Sequence, residues 1–119
     1  MKLVLWVSRH EMTPEQKADL DRIMGESVEL IVFRETVHDV GVLLPFIQRV
    51  QAVAAVLPPG LLQDLLGLVG EKPLLRAIAR REPTGRTLEL PDGRTEPEFV
   101  FIHDGWEQIL RIDIQTRRL

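Results

Sequence analysis

A chain of 119 residues with a formal net charge of −3 lacks the positive coat that duplex nucleic acid requires, although a local basic pocket for a small anion stays open. Its 45% hydrophobic and 28% charged residues suit one globular core, and no apolar run approaches the roughly 20 residues that cross a bilayer. With no cysteine, disulfide and thiolate chemistry are excluded, and a cytoplasmic location is the default expectation. Met1-Lys2 leads straight into a strand-like run, which does not read as a signal peptide.

Residues 2–8 form a β-rich apolar run that ends in the polar triplet Ser8-Arg9-His10. Thr13-Pro14-Glu15-Gln16 then opens a helix: Thr13 and Gln16 have the spacing of a capping box, and proline suits the first helical position. Leu20, Ile23 and Met24 share a face of that helix, and Gly25 ends it. Residues 28–33 are a second nearly continuous apolar run, the pattern of a strand covered on both faces in a parallel sheet. Asp39 is placed to cap a second helical stretch holding Val42, Leu43, Phe46, Ile47 and Val50, with Pro45 in its first turn or kinking it. Residues 52–57 read as a third strand, Pro58-Pro59-Gly60 breaks it, and residues 61–69 read as a helix closed by Gly70. Residues 73–79 read as a fourth strand ending at Arg80-Arg81.

Beyond Glu82 the pattern changes to three short strands, residues 86–90, 98–103 and 106–114. Pro91-Asp92-Gly93-Arg94 and Asp104-Gly105 read as the turns between them, and Leu110, Ile112 and Ile114 alternate with polar residues as on a half-covered strand. The expected fold is α/β, a single domain over 1–119. A Rossmann-like parallel sheet core occupies 1–82, and a C-terminal antiparallel β-meander over 83–119 extends the sheet or builds a dimer surface.

Ser8, Arg9 and His10 combine a hydroxyl, a permanent cation and an imidazole at the carboxyl end of a first strand, where open α/β sheets bind ligands. That set suits a phosphate ester: arginine holds nonbridging oxygens and histidine moves a proton. The plainer reading of the triplet is an exposed loop, with His10 packing on the cap of the next helix. Arg34, Glu35 and Thr36 follow the second strand, Pro59-Gly60 opens a helix whose free amides suit an anion, and Arg80-Arg81 follow the fourth strand. There is no GxGxxG and no Walker sequence, so a conventional dinucleotide or P-loop site is not expected. His38-Asp39 and His103-Asp104 lack the spacing of a metal site, so no metal and no cofactor are expected. Trp6 and Trp106 read as packing residues, and the leucines of 61–69 as core or dimer interface.

Val7-Ser8-Arg9-His10 through Thr13-Pro14-Glu15-Gln16, with Ala55-Val56-Leu57-Pro58-Pro59-Gly60, resembles small CRISPR-associated ring nucleases with a CARF-like, Rossmann-type fold. The resemblance covers about residues 1–82. It implies a homodimer that binds a cyclic oligoadenylate second messenger and cleaves it without a metal, a ribose 2′-hydroxyl attacking the neighbouring phosphate. Under it, His10 transfers the proton, Arg9 stabilises phosphate charge, Ser8 and the Pro59-Gly60 loop position the ring, and Arg34, Thr36, Arg80 and Arg81 contact ligand. A noncatalytic cyclic-nucleotide sensor or dimeric interaction module is the alternative on the same fold, with neither duplex DNA nor membrane as partner. Arg9-His10 also looks like the start of histidine phosphatases, although Glu11 stands where that family has glycine, and a second catalytic histidine would have to be His38 or His103.

Overall fold

The computed structural model describes residues 1–119. β1 (Lys2–Val7), α1 (Pro14–Met24), β2 (Val28–Phe33), α2 (Leu44–Ile47), β3 (Ala52–Ala55), α3 (Pro59–Val69), β4 (Leu74–Glu89) and β5 (Thr95–Gln108) follow in that order, with a 3₁₀ turn over Val40–Leu43 leading into α2. They build one five-stranded sheet in the order β2-β1-β3-β4-β5. The first four strands are parallel and β5 is antiparallel to β4, which makes the fold α/β with a Rossmann-like core and a C-terminal hairpin. No helix is long and apolar enough to cross a membrane.

Period-two alternation divides the core between the two sheet faces. Leu5, Val7, Val53, Ala55 and Leu74 pack with Leu43, Ile47, Leu62, Leu65 and Val69 from the α2 and α3 side. Val4, Trp6, Ala52, Ala54 and Leu75 pack with Leu20 of α1 on the other. Strands covered on both faces need apolar residues at every position, and residues 4–7 and 52–55 are buried without a break. α1 begins with both halves of its capping box, Gln16 N–H donating to Thr13 Oγ1 (3.1 Å) and Thr13 N–H to Gln16 Oε1 (2.9 Å), and ends at Gly25 with φ +80°. Of its expected apolar face, Leu20 is buried, Met24 is half-buried and Ile23 is exposed. Asp39 does cap the second helical stretch, its carboxylate accepting from the Gly41 N–H at 2.8 Å.

The carboxyl-terminal segment departs from the three-strand meander. β4 runs without interruption across position 82 and, with β5, forms one long hairpin closed at residues 90–94, where Gly93 takes φ +85°. Asp104-Gly105 is no turn. It lies inside β5, where Ala77 faces Trp106 but Ala79 faces His103; the extra residue is absorbed as a bulge, with Gly105 at φ +117°. Flanking residues that both find partners on one strand leave nothing for a turn to reverse. The expected strand over 106–114 stops at Gln108, and Ile109 is buried while Leu110 is 80% exposed.

This hairpin arm leaves the body of the protein. The radius of gyration is 17.2 Å, against about 13.5 Å for a compact chain of this length. At its base the arm is fastened to α1: Trp106 Nε1 donates to the Gln16 carbonyl (3.0 Å), His103 Nε2 lies 2.9 Å from Asp19 Oδ2, and Trp106 meets Trp6 edge to face at 6.0 Å.

Candidate functional site

Strand order reverses direction between β1 and β3, and the crevice outside the carboxyl ends of such strands is where α/β sheets take ligands. A cavity of about 200 Å³ lies there. Its floor and walls are Val7, Val37, Val56, Leu57, Pro58 and Leu61; its polar groups are Ser8, Arg9, Glu35 and Thr36. Three loops meet, one from each of the strands β1, β2 and β3.

Ser8 is the one buried polar residue of the chain, and its surroundings show why the loop turns there. Its N–H donates to the Phe33 carbonyl (3.1 Å), which ties the β1 loop to β2, and the Val56 N–H donates to the Val7 carbonyl (2.8 Å), which ties it to β3. Ser8 Oγ accepts from the His10 N–H at 3.1 Å, and Trp6 Nε1 donates to the His10 carbonyl at 2.9 Å. Trp6 belongs to the α1 face of the sheet, so this last bond draws the His10 backbone to that side, whereas Val7 and Val37 place the cavity on the α3 side.

Of the residues expected at the site, Ser8, Arg9 and Thr36 come together around the cavity. His10 is exposed and does not line it. Arg34 pairs with Glu11 at 3.3 Å, bridging the β1 and β2 loops on the outside. Pro59 faces a neighbouring hollow with Ala55, Val56, Leu57, Leu62, Arg76 and Ala77, and Gly60 sits in the first turn of α3, which has no side-chain cap. Arg80 and Arg81 are carried off on the arm: Arg80 pairs with Glu82 (2.7 Å) and Asp104 (3.5 Å), and the Arg81 guanidinium lies 3.9 Å from the centre of the Phe99 ring. Neither His38 nor His103 lines the cavity. No three His, Asp or Glu side chains converge anywhere in the chain.

The apolar wall was the part that site-seeking by polar residues misses; Val37, Val56, Leu57 and Leu61 carry no chemical signature beyond their place at strand ends. Their arrangement gives apolar surface beside two hydroxyls, a carboxylate and a guanidinium. Arg9 has no carboxylate partner, so its charge is free for an anion. The two carboxyls held below their ordinary range, Asp19 and Asp21, are on α1 and away from the cavity. An apolar wall with a few converging polar groups is the usual make-up of a small-molecule site. No family model, no curated protein and no solved structure matches this chain.

Proposed function

We propose that the cavity takes part of a cyclic oligoadenylate and that the chain is a cytoplasmic ring nuclease of CRISPR antiviral signalling, acting as a homodimer. The observation that carries this reading is the meeting of Ser8, Arg9 and Thr36 around an apolar cavity at the reversal of strand order, with Arg9 unpaired. The amino-terminal resemblance supplies the ligand class. In the reaction a ribose 2′-hydroxyl attacks the adjacent phosphorus, the bond to the 5′-oxygen breaks, and the products are a 2′,3′-cyclic phosphate and a 5′-hydroxyl. Arg9 offsets the charge that gathers on the nonbridging oxygens, and Ser8 and Thr36 hold the nucleotide in line. His10 follows Arg9 in the chain but lies outside the cavity lining; in this reading its side chain swings to the bound ring and delivers the proton to the departing 5′-oxygen, while the proton of the 2′-hydroxyl passes to solvent.

Binding and turnover of cyclic tetra- and hexaadenylate test the assignment. Arg9→Ala weakens binding by about tenfold or more, the worth of a charged hydrogen bond. His10→Ala keeps binding and lowers turnover by about 100-fold, the lower range for one acid–base group. Rings that shift neither melting temperature nor chromatographic products overturn the reading. Binding with no cleavage selects the sensor, and one observation favours that second reading: the backbone bonds that hold His10 turn it away from the cavity.

A further inference from the structure

The cavity lining leaves two opposite charges unused. Ser8 Oγ already accepts from the His10 N–H at 3.1 Å, and the Thr36 hydroxyl donates or accepts as a ligand requires. Arg9 and Glu35 have no such latitude: a guanidinium only donates and a carboxylate only accepts. Both line the cavity, yet they form an ion pair neither with each other nor with any other side chain. Arg34, the cation adjacent to Glu35 in the chain, is engaged on the outside by Glu11 at 3.3 Å. The segment that carries Glu35 is short and fastened at both ends, the Phe33 carbonyl by the Ser8 N–H at 3.1 Å and Val37 by burial in the core. Backbone, and not an ion pair, keeps this carboxylate at the cavity.

An unpaired carboxylate in the wall of a phosphate site works against a ligand that brings only negative charge. It favours one that brings an N–H donor as well, because that donor gains a charge-assisted hydrogen bond while a carbonyl oxygen in the same place is repelled. Nucleobases divide on this point. Adenine and cytosine carry an exocyclic amino group where hypoxanthine and uracil carry a carbonyl oxygen, and guanine has an amino group beside a ring N–H. Val56, Leu57 and Leu61 give cover to any base without telling one from another, and Glu35 is the one carboxylate among the lining residues.

We infer that Glu35 selects the base: with the phosphate at Arg9, its carboxylate accepts from the exocyclic amino group, that of adenine in the ring proposed above. The inference rests on that reading and adds the residue that sets its specificity; Glu35 takes no part in the bond changes.

Equilibrium binding of matched ligands tests it. One pair is cyclic tetraadenylate and the same ring built from purine riboside, which lacks only the amino group; the other is adenosine 5′-monophosphate and purine riboside 5′-monophosphate. The wild type prefers the amino-bearing member of each pair by about tenfold, the worth of one hydrogen bond to a charged group. Glu35→Ala brings each ratio to within about twofold of one, and it binds the purine riboside ligands at least as tightly as the wild type does, because a repelling charge has gone. Its far-UV circular dichroism is unchanged, since the side chain is exposed. Arg9→Ala weakens both members of a pair alike and leaves the ratio standing.

A Glu35→Ala variant that tightens both members equally and keeps the preference marks Glu35 as a solvated charge and overturns the inference, as does a wild type indifferent to the amino group. Rings bound without that preference leave the ring reading standing while this one falls. Mononucleotides told apart by a protein that binds no ring do the reverse, and a chain that binds none of the four ligands overturns both.

Discussion

Residues 4–7 in β1 and residues 98–101 in β5 are both strand segments rich in large apolar side chains, yet Leu5 is wholly buried and Phe101 is 75% exposed. What separates them is the number of layers above and below. β1 lies between two parallel neighbours with α1 on one face and α2 and α3 on the other, so both alternating sets of side chains find cover. β5 has a single neighbour, and beyond its base neither face is covered. Burial in this protein is set by position in the sheet more than by composition, and the body and the arm should respond very differently to the same substitution.

The sharpest contrast is a leucine removed from each. Leu65→Ala opens a void between α3 and the sheet and costs about 2–5 kcal/mol in urea denaturation, whereas Leu88→Ala on the arm stays within about 0.5 kcal/mol. Equal costs would break the comparison. The junction should fall between these limits. Trp106→Ala loses the contact with Trp6 and the bond to the Gln16 carbonyl, and its expected cost of roughly 2–3 kcal/mol lies under the range for a fully buried tryptophan. The same variant frees the arm from α1, read as faster amide exchange through residues 102–108 with no change at β1.

A smaller effect tests the other side of that junction. Thr13→Ala removes half of the capping box and costs about 1 kcal/mol by thermal or urea unfolding, and Thr13→Ser recovers most of it. The smallest is a pH effect. The His103 hydrogen bond, followed by that of Arg22, holds the Asp19 carboxyl below its ordinary 3.8, and the Lys17 bond does the same for Asp21. Because the folded values are the lower ones, the stability these groups contribute is complete above the ordinary value and is lost as pH falls from 3.8 through the depressed values. Asp19→Asn should therefore flatten the acid limb of a stability–pH curve. An unaltered limb would mean that the arm is not fastened through this carboxylate.

The body was readable from sequence where its signals agree: continuous apolar runs at residues 4–7 and 52–55 for strands covered twice, Thr13 and Gln16 for the first cap, glycines at helix ends; the run over 28–33 read the same way but is the edge strand β2, with Glu29 and Val32 exposed. The arm was not, because its signals conflict. Arg81-Glu82-Pro83-Thr84-Gly85 has the composition of a connection and Asp104-Gly105 that of a two-residue turn, although both lie within continuous strands as irregularities, with paired residues Pro83 and Thr87 on either side of the first and His103 and Trp106 on either side of the second. Because β4 continues through them, Arg80 and Arg81 lie on the arm and not in the strand-end cluster expected of them. At the site, Ser8, Arg9 and Thr36 could be placed because strand ends locate them, while the side to which His10 turns depended on the bond from Trp6, which no local pattern reveals.

One extra residue at Asp104-Gly105 acts as a half-period phase shift along β5. His103 and Trp106 are separated by three positions, an odd interval that in an unbroken strand would send their side chains to opposite faces, yet both reach α1. Deleting Gly105 would restore strict alternation and turn the outer ribbon over, presenting Val100 and Ile102 where Phe99 and Phe101 now stand. The length of this stretch is thereby constrained in parity, so that changes of two residues preserve the arm's outward face and changes of one invert it.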